Sequence, residues 1–131
     1  MIERLTPLGS PAPRGPYSPA VQAGDFVFVS GQLPIDAASN KIVSSSVAEQ
    51  TRQTIENLQT VLSAAGAGLA DVVKCSVFLA DIRDFAAMNE VYAEFFGEAK
   101  PARSTVQAVL PSSEARVEID CIAYAPRDPS A

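Results

Sequence analysis

Residues 100–126 read KPARSTVQAVLPSSEARVEIDCIAYAP. A Pro-Ser-Ser-Glu turn divides the stretch into two β-prone runs, predicted as strands over about 104–110 and 115–125. In the second run Val117, Ile119, Cys121 and Ala123 alternate with Glu118, Asp120, Ile122 and Tyr124. Alternation at period two places the first set on one sheet face and the second set on the other. The second face thus mixes two carboxylates with apolar residues. Arg103, just after Pro101, stands where the first strand begins.

Working back along the chain, AVQAGDFVFVSGQ is predicted as a hairpin, with strands at 21–23 and 26–30 around a Gly24-Asp25 turn. Residues 33–46 are turn-rich, with a short strand at 42–43. Ser46 and Glu49 have the spacing of a capping box. Behind them Val47, Thr51, Ile55, Leu58, Leu62 and Ala65 recur at steps of three and four, the mark of an amphipathic helix that Gly66 or Gly68 ends. DVVKCSVFLAD is apolar at nearly every position, as in a strand buried on both faces. A second helix follows, capped by Asp81 or Asp84, with Phe85, Met88, Val91 or Tyr92, and Phe95 inward and Gly97 at its end. The order ββ(β)αβαββ gives an α+β domain over 1–131, with 1–14 as an N-terminal arm or first strand and 126–131 as a tail. Two helices cover only one face of the sheet. The apolar residues left on the other face point to self-association.

The 131 residues carry a formal charge of −5, ten basic side chains and no histidine. That balance is a poor footprint for nucleic acid. A chain without histidine has no His-dependent triad and no His–Zn site. SGQLP is not a phosphate-binding glycine loop. Cys75 and Cys121 lie in strand-like runs and read as small buried hydrophobes rather than a disulfide. No run is long and apolar enough to span a bilayer and no signal-peptide pattern opens the chain, so the expectation is a cytoplasmic protein. Chemistry is left to carboxylates, arginine, hydroxyls and backbone groups. Taken singly, Glu118 suits a solvent-facing strand position, Arg103 a surface ion pair, Tyr17 a ring capping the core, Ser30-Gly31 a bulge or tight turn, and Asn89 an exposed helix face.

Together RGPYSPAV, FVFVSGQLPID, the run from ENLQTVL to VYAEFF, PARSTVQAVLP and VEIDCIA resemble, in order and over residues 15–125, the Rid family of reactive intermediate deaminases, also called YjgF or L-PSP proteins. The resemblance implies a fold similar to chorismate mutase of the bacillary, trimeric type. That is a mixed sheet with two helices on one face and three sheets around a central barrel, with ligand clefts between subunits. It implies hydrolysis of 2-iminobutanoate and 2-iminopropanoate, tautomers of enamines released by pyridoxal-phosphate enzymes, to 2-keto acids and ammonia, without metal or cofactor. By position, Arg103 matches the arginine that grips the substrate carboxylate. Glu118 matches the acid that holds or activates water. Tyr17, Ser30 and Gly31 match cleft residues. Thr105 stands where many members have cysteine, and its expected contact is a backbone NH or hydroxyl; Pro19 replaces a frequent glutamine. Two other functions fit the same resemblance: a keto-acid sensor that binds without turnover, and a ribonuclease, which the acidic balance disfavours. A mutase would rest on fold analogy alone.

Overall fold

The structure, a computed structural model, describes residues 2–127. Met1 and residues 128–131 lie outside this range, so most of the predicted tail at 126–131 does too. The chain forms β1 (Ile2–Leu5), β2 (Ala20–Ala23), β3 (Phe26–Gln32), β4 (Ile35–Asp36), β5 (Lys41–Ile42), α1 (Val47–Ser63), β6 (Val72–Leu79), α2 (Phe85–Phe96), β7 (Ala102–Gln107) and β8 (Val117–Tyr124). Short 3-10 turns at Leu69–Asp71 and Ile82–Asp84 lead into β6 and α2. Six strands make one mixed sheet in the order β1-β2-β3-β8-β6-β7, while β4 and β5 pair as a separate hairpin. Only β6 and β7 run parallel; the other pairs are antiparallel. The fold is the α+β arrangement expected, with both helices on one face.

The predicted alternation of β8 holds. Val117, Ile119, Cys121 and Ala123 are buried beneath the helices, and Glu118, Asp120 and Ile122 are only half-buried. Val27 and Val29 of β3 and Cys75, Val77 and Leu79 of β6 complete the buried layer against Ile55, Leu58, Val61 and Leu62 of α1 and Met88, Tyr92 and Phe96 of α2. Cys75 and Cys121 face each other across β6 and β8 as free, buried thiols. Burial and the neighbouring Cys75 and Asp120 push the Cys121 thiol far up, so it stays protonated.

Four local expectations are corrected. β6 is buried on one face, not two: Val73 is 44% exposed and Phe78 half-buried. The apolar residues on its other side join Phe26, Phe28, Val106 and Tyr124, each 40–48% exposed, in one uncovered layer. On α2 the inward residues are Met88, Val91, Tyr92 and Phe96, while Phe85 is 40% exposed. Asp84, one of the two expected caps, precedes the helix without a side-chain capping bond, while Asp81 caps the 3-10 turn before it by accepting from the Arg83 NH. Gly97 keeps a right-handed φ of −60°, and the chain reverses instead at Lys100, whose φ is +44°. Finally β7 begins at Ala102, so Arg103 lies inside the strand rather than at its entrance.

Helix α1 carries amides that its apolar stripe conceals. Ser46 caps it as expected, accepting from the Glu49 NH, but the Ser46 NH donates to Ser44 Oγ, so the reciprocal half of the box is replaced. Gln50, fully buried, donates through Nε2 to the carbonyls of Ser44 and Glu114 and accepts the Arg116 NH at 2.7 Å. Asn57 donates through Nδ2 to the carbonyls of Leu33 and Ile35 at 3.0 and 2.9 Å. These two side chains tie the 33–35 and 111–116 loops to the helix. Gln50→Leu keeps the volume but leaves the Ser44 and Glu114 carbonyls and the Arg116 NH without their side-chain partner. We expect a loss of about 2–4 kcal/mol in denaturant unfolding, at about 0.5–1.5 kcal/mol for each of the three hydrogen bonds lost.

Candidate functional site

Two clusters collect the residues singled out in the sequence. The first surrounds Glu118. A cleft on the uncovered side is lined by Arg14, Tyr17, Ser30, Gly31, Leu33, Pro111, Ser112 and Glu118. Its floor is set by a bulge in β3, where the register against β8 shifts between Val29 and Gln32. The bulge carries Ser30 and Gly31 out of the ladder. Ser30 Oγ donates to the Ser18 carbonyl at 2.6 Å and Ser30 NH to the Pro19 carbonyl at 2.9 Å, which fastens the 15–20 turn over the bulge. That turn brings in Tyr17, half-exposed, whose Oη accepts the Arg14 NH at 3.2 Å.

Gly31 has a specific steric reason. A Cβ there would overlap the Glu118 carboxylate. The missing side chain is therefore the space in which Glu118 lies. Burial, with Asp120 as a second cause, raises the Glu118 pKa above the usual carboxylate value. No cation forms an ion pair with it among the described residues.

The second cluster surrounds Arg103. The guanidinium donates to Asn89 Oδ1 at 2.7 Å and lies over the Tyr92 ring at 4.6 Å and the Phe85 ring at 5.5 Å. Every one of these partners is neutral, and no carboxylate pairs with Arg103 among the described residues. Its charge is oriented but not neutralised, and cation–π contact suits the flat face of an arginine. A shallow pocket of Asn89, Tyr92, Ala93, Phe96, Gly97, Lys100, Pro101 and Arg103 opens beside it. Asn89 was read in sequence as an exposed helix residue; its position one turn from Phe85 and Tyr92 was the signal that it faces the strand carrying Arg103.

Strand register decides how the clusters relate. Arg103 pairs with Cys75, on the helical face, whereas Glu118 pairs with Phe78, on the uncovered face. Paired residues project to the same side, so the two charged groups occupy opposite faces of one sheet. One chain does not bring them together. Thr105, two residues beyond Arg103, shares its face, and its hydroxyl is enclosed without a hydrogen-bond partner. Among the described residues no group of His, Cys, Asp and Glu is arranged to hold a metal ion, and no helix is long and apolar enough to cross a membrane.

Known proteins resemble the chain over nearly its whole length. The family model for Endoribonuclease L-PSP matches residues 8–125. A RutC family protein of Pyrococcus horikoshii is 50% identical over 124 residues, 95% of this chain and 98% of the relative. The chloroplastic Reactive Intermediate Deaminase A of Arabidopsis thaliana is 45% identical over 87% of this chain and 61% of its own. Among solved structures, E. coli TdcF with bound serine superposes with a TM-score of 0.87 at 36% identity, covering 96% of this chain and 99% of that one. The YjgF gene product of E. coli gives 0.86 at 34% identity, over 93% and 98%. The chain belongs to the L-PSP family, which takes in the YjgF and Rid proteins.

Proposed function

We propose that the protein hydrolyses small 2-imino acids, 2-iminobutanoate and 2-iminopropanoate among them, to 2-keto acids and ammonia. The observation that carries this reading is the pair of unpartnered charges: an arginine held only by neutral groups and a carboxylate of raised pKa beside an open cleft. Because they lie on opposite faces, the working site joins two copies, with Arg103 of one at the Glu118 cleft of the next. The uncovered layer of Phe26, Phe28, Phe78, Val106, Ile122 and Tyr124 is the surface that copies would bury, as a trimer around a central barrel. The relative named a deaminase and the neighbour holding serine support a small carboxylate ligand.

The steps follow from the groups present. The Arg103 guanidinium, with its planar fork, binds both oxygens of the substrate carboxylate. Tyr17 and Ser30 flank the reacting carbon. Glu118 accepts a proton from water as its oxygen adds to the iminium carbon. Glu118 passes this proton to the nitrogen of the carbinolamine; as the C–N bond breaks, the hydroxyl proton leaves through Glu118 to the departing ammonia, so R–C(=NH2+)–COO− and water give R–CO–COO− and NH4+. The raised pKa makes Glu118 a stronger base than an ordinary carboxylate. With its hydroxyl enclosed, Thr105 contributes through its backbone. The iminium is already electrophilic, so positioning and charge placement suffice, and no cofactor enters. A sensor of keto acids would bind in the same cleft, and turnover separates it from this reading. RNA cleavage is disfavoured, since a chain of charge −5 is a poor footprint for a polyanion and, without histidine, lacks the usual acid–base pair.

The test generates 2-iminopropanoate in place with an amino-acid oxidase and lets semicarbazide compete for it. The protein should suppress semicarbazone formation. Arg103→Lys keeps the charge but loses the fork, and kcat/KM should fall about ten- to a hundredfold, the equivalent of about 1.5–3 kcal/mol. Glu118→Gln should lower kcat by about a hundredfold with little change in KM. The acid limb of the wild-type profile should lie above the ordinary carboxylate range and vanish in Glu118→Gln. Full activity in Arg103→Ala would remove the assignment.

The raised pKa also has a stability sign. A carboxyl whose folded pKa exceeds its unfolded value favours folding while protonated and loses that contribution as pH rises through the folded pKa. Glu118→Gln should therefore raise the melting temperature at pH 7, with the gain disappearing in acid where the wild-type group is protonated too. Asn89→Asp places a carboxylate 2.7 Å from the Arg103 fork without changing shape. We expect unchanged or higher stability together with a KM raised about tenfold or more, because the arginine is then neutralised internally. Light scattering should return three times the chain mass; a monomer at micromolar concentration would defeat the shared site.

A further inference from the structure

The Glu118 cleft holds a cation that the reaction above does not use. Arg14 lines it together with Tyr17, Ser30, Gly31 and Ser112, and also lines the adjoining slot of Pro11, Pro13, Pro19, Gln32 and Ile35. Its guanidinium donates, through one nitrogen only, to the Asn40 carbonyl at 3.3 Å and to Asn40 Oδ1 at 3.5 Å. Both acceptors are neutral. Asn40 sits in the turn between β4 and β5, where its φ is +58°, a left-handed value that asparagine tolerates. No carboxylate pairs with Arg14 among the described residues. The one acid in the cleft, Glu118, is influenced by burial and by Asp120, and Arg14 is not among the causes of its shift. Arg14 is thus tethered from one side while its remaining donors stay free.

Arginine forks of this kind fit a carboxylate. A monocarboxylic imino acid needs one such fork, which Arg103 provides. An exposed second guanidinium on the wall of the cleft, held only by neutral groups, is placed to meet a second carboxylate where the substrate carries one. Resting on the imine-hydrolase reading of this cleft, we infer that Arg14 selects 2-imino acids with a second, distal carboxylate, of the 2-iminosuccinate and 2-iminoglutarate type. Water adds at the same carbon and ammonia leaves as before; Arg14 takes no part in the chemistry and acts on specificity alone. Its backbone NH, which holds Tyr17, is retained whatever the side chain becomes.

The test compares kcat/KM for 2-iminosuccinate, made in place from D-aspartate by D-aspartate oxidase, with that for 2-iminopropanoate made from alanine. In Arg14→Met the ratio of the first to the second should fall about tenfold or more, and Arg14→Glu should lower it further through repulsion. A ratio that does not move in Arg14→Met overturns the inference while leaving imine hydrolysis standing. Should the wild-type protein hydrolyse neither imine, titration calorimetry decides independently of turnover. Tighter binding of 2-oxoglutarate than of 2-oxobutanoate, lost in Arg14→Met, upholds the role of Arg14 although the hydrolase reading fails. Equal binding of the two keto acids rejects it.

Discussion

The Glu118 carboxylate occupies the volume that a side chain at residue 31 would fill. Much of the cleft depends on that exchange. A regular β3 paired to β8 throughout would keep its ladder past Val29 and leave no recess; the bulge breaks the register there and turns Ser30 and Gly31 outward. The carboxylate then sits partly desolvated over a backbone with no Cβ, and its proton affinity rises. Steric room and basicity come from the same local irregularity.

Irregular backbone is stable only when its polar groups are satisfied. The loops around the cleft meet that demand through helix α1 on the far side of the sheet. Asn57 holds the 33–35 segment and Gln50 holds the segment that runs from Glu114 to Arg116. Ser30 fastens the 15–20 turn by one short hydrogen bond. Arg116, whose NH Gln50 receives, also bridges Asp84 and the Ser45 carbonyl, so α2, the entry to α1 and the start of β8 share one polar junction. The buried amides of a nominally apolar helix are what couple core packing to cleft shape.

The two sides of the sheet answer different needs. On the helical side Arg103 is seated among Asn89, Tyr92 and Phe85, where flat rings and an amide oxygen orient a charge without cancelling it. On the uncovered side aromatic and branched residues surround two carboxylates on β8. Arg103 lies on β7 at the sheet edge, on the face opposite its own Glu118. Neither face carries both charges, so the proposed chemistry depends on assembly.

What the sequence determined by itself was whatever depends on local periodicity and turn chemistry. The strand alternation of Val117 to Tyr124, the hairpin around Gly24-Asp25, the Ser46 cap and the two-helix cover all follow from residues close in the chain, where side-chain spacing is dictated by the backbone repeat. Motif order was enough to place the family and to nominate Tyr17, Ser30, Gly31, Arg103, Thr105 and Glu118. Tertiary structure alone decided which of these meet. Face assignment on β7 depends on its register with β6, set across 27 intervening residues by the pairing of Lys74 with Ala102. The burial of Gln50 and Asn57 depends on carbonyls from distant loops. The reason for Gly31 is a carboxylate 87 positions away in the chain. Contacts of that range leave no periodic trace, because they are fixed by how elements pack and not by how residues repeat.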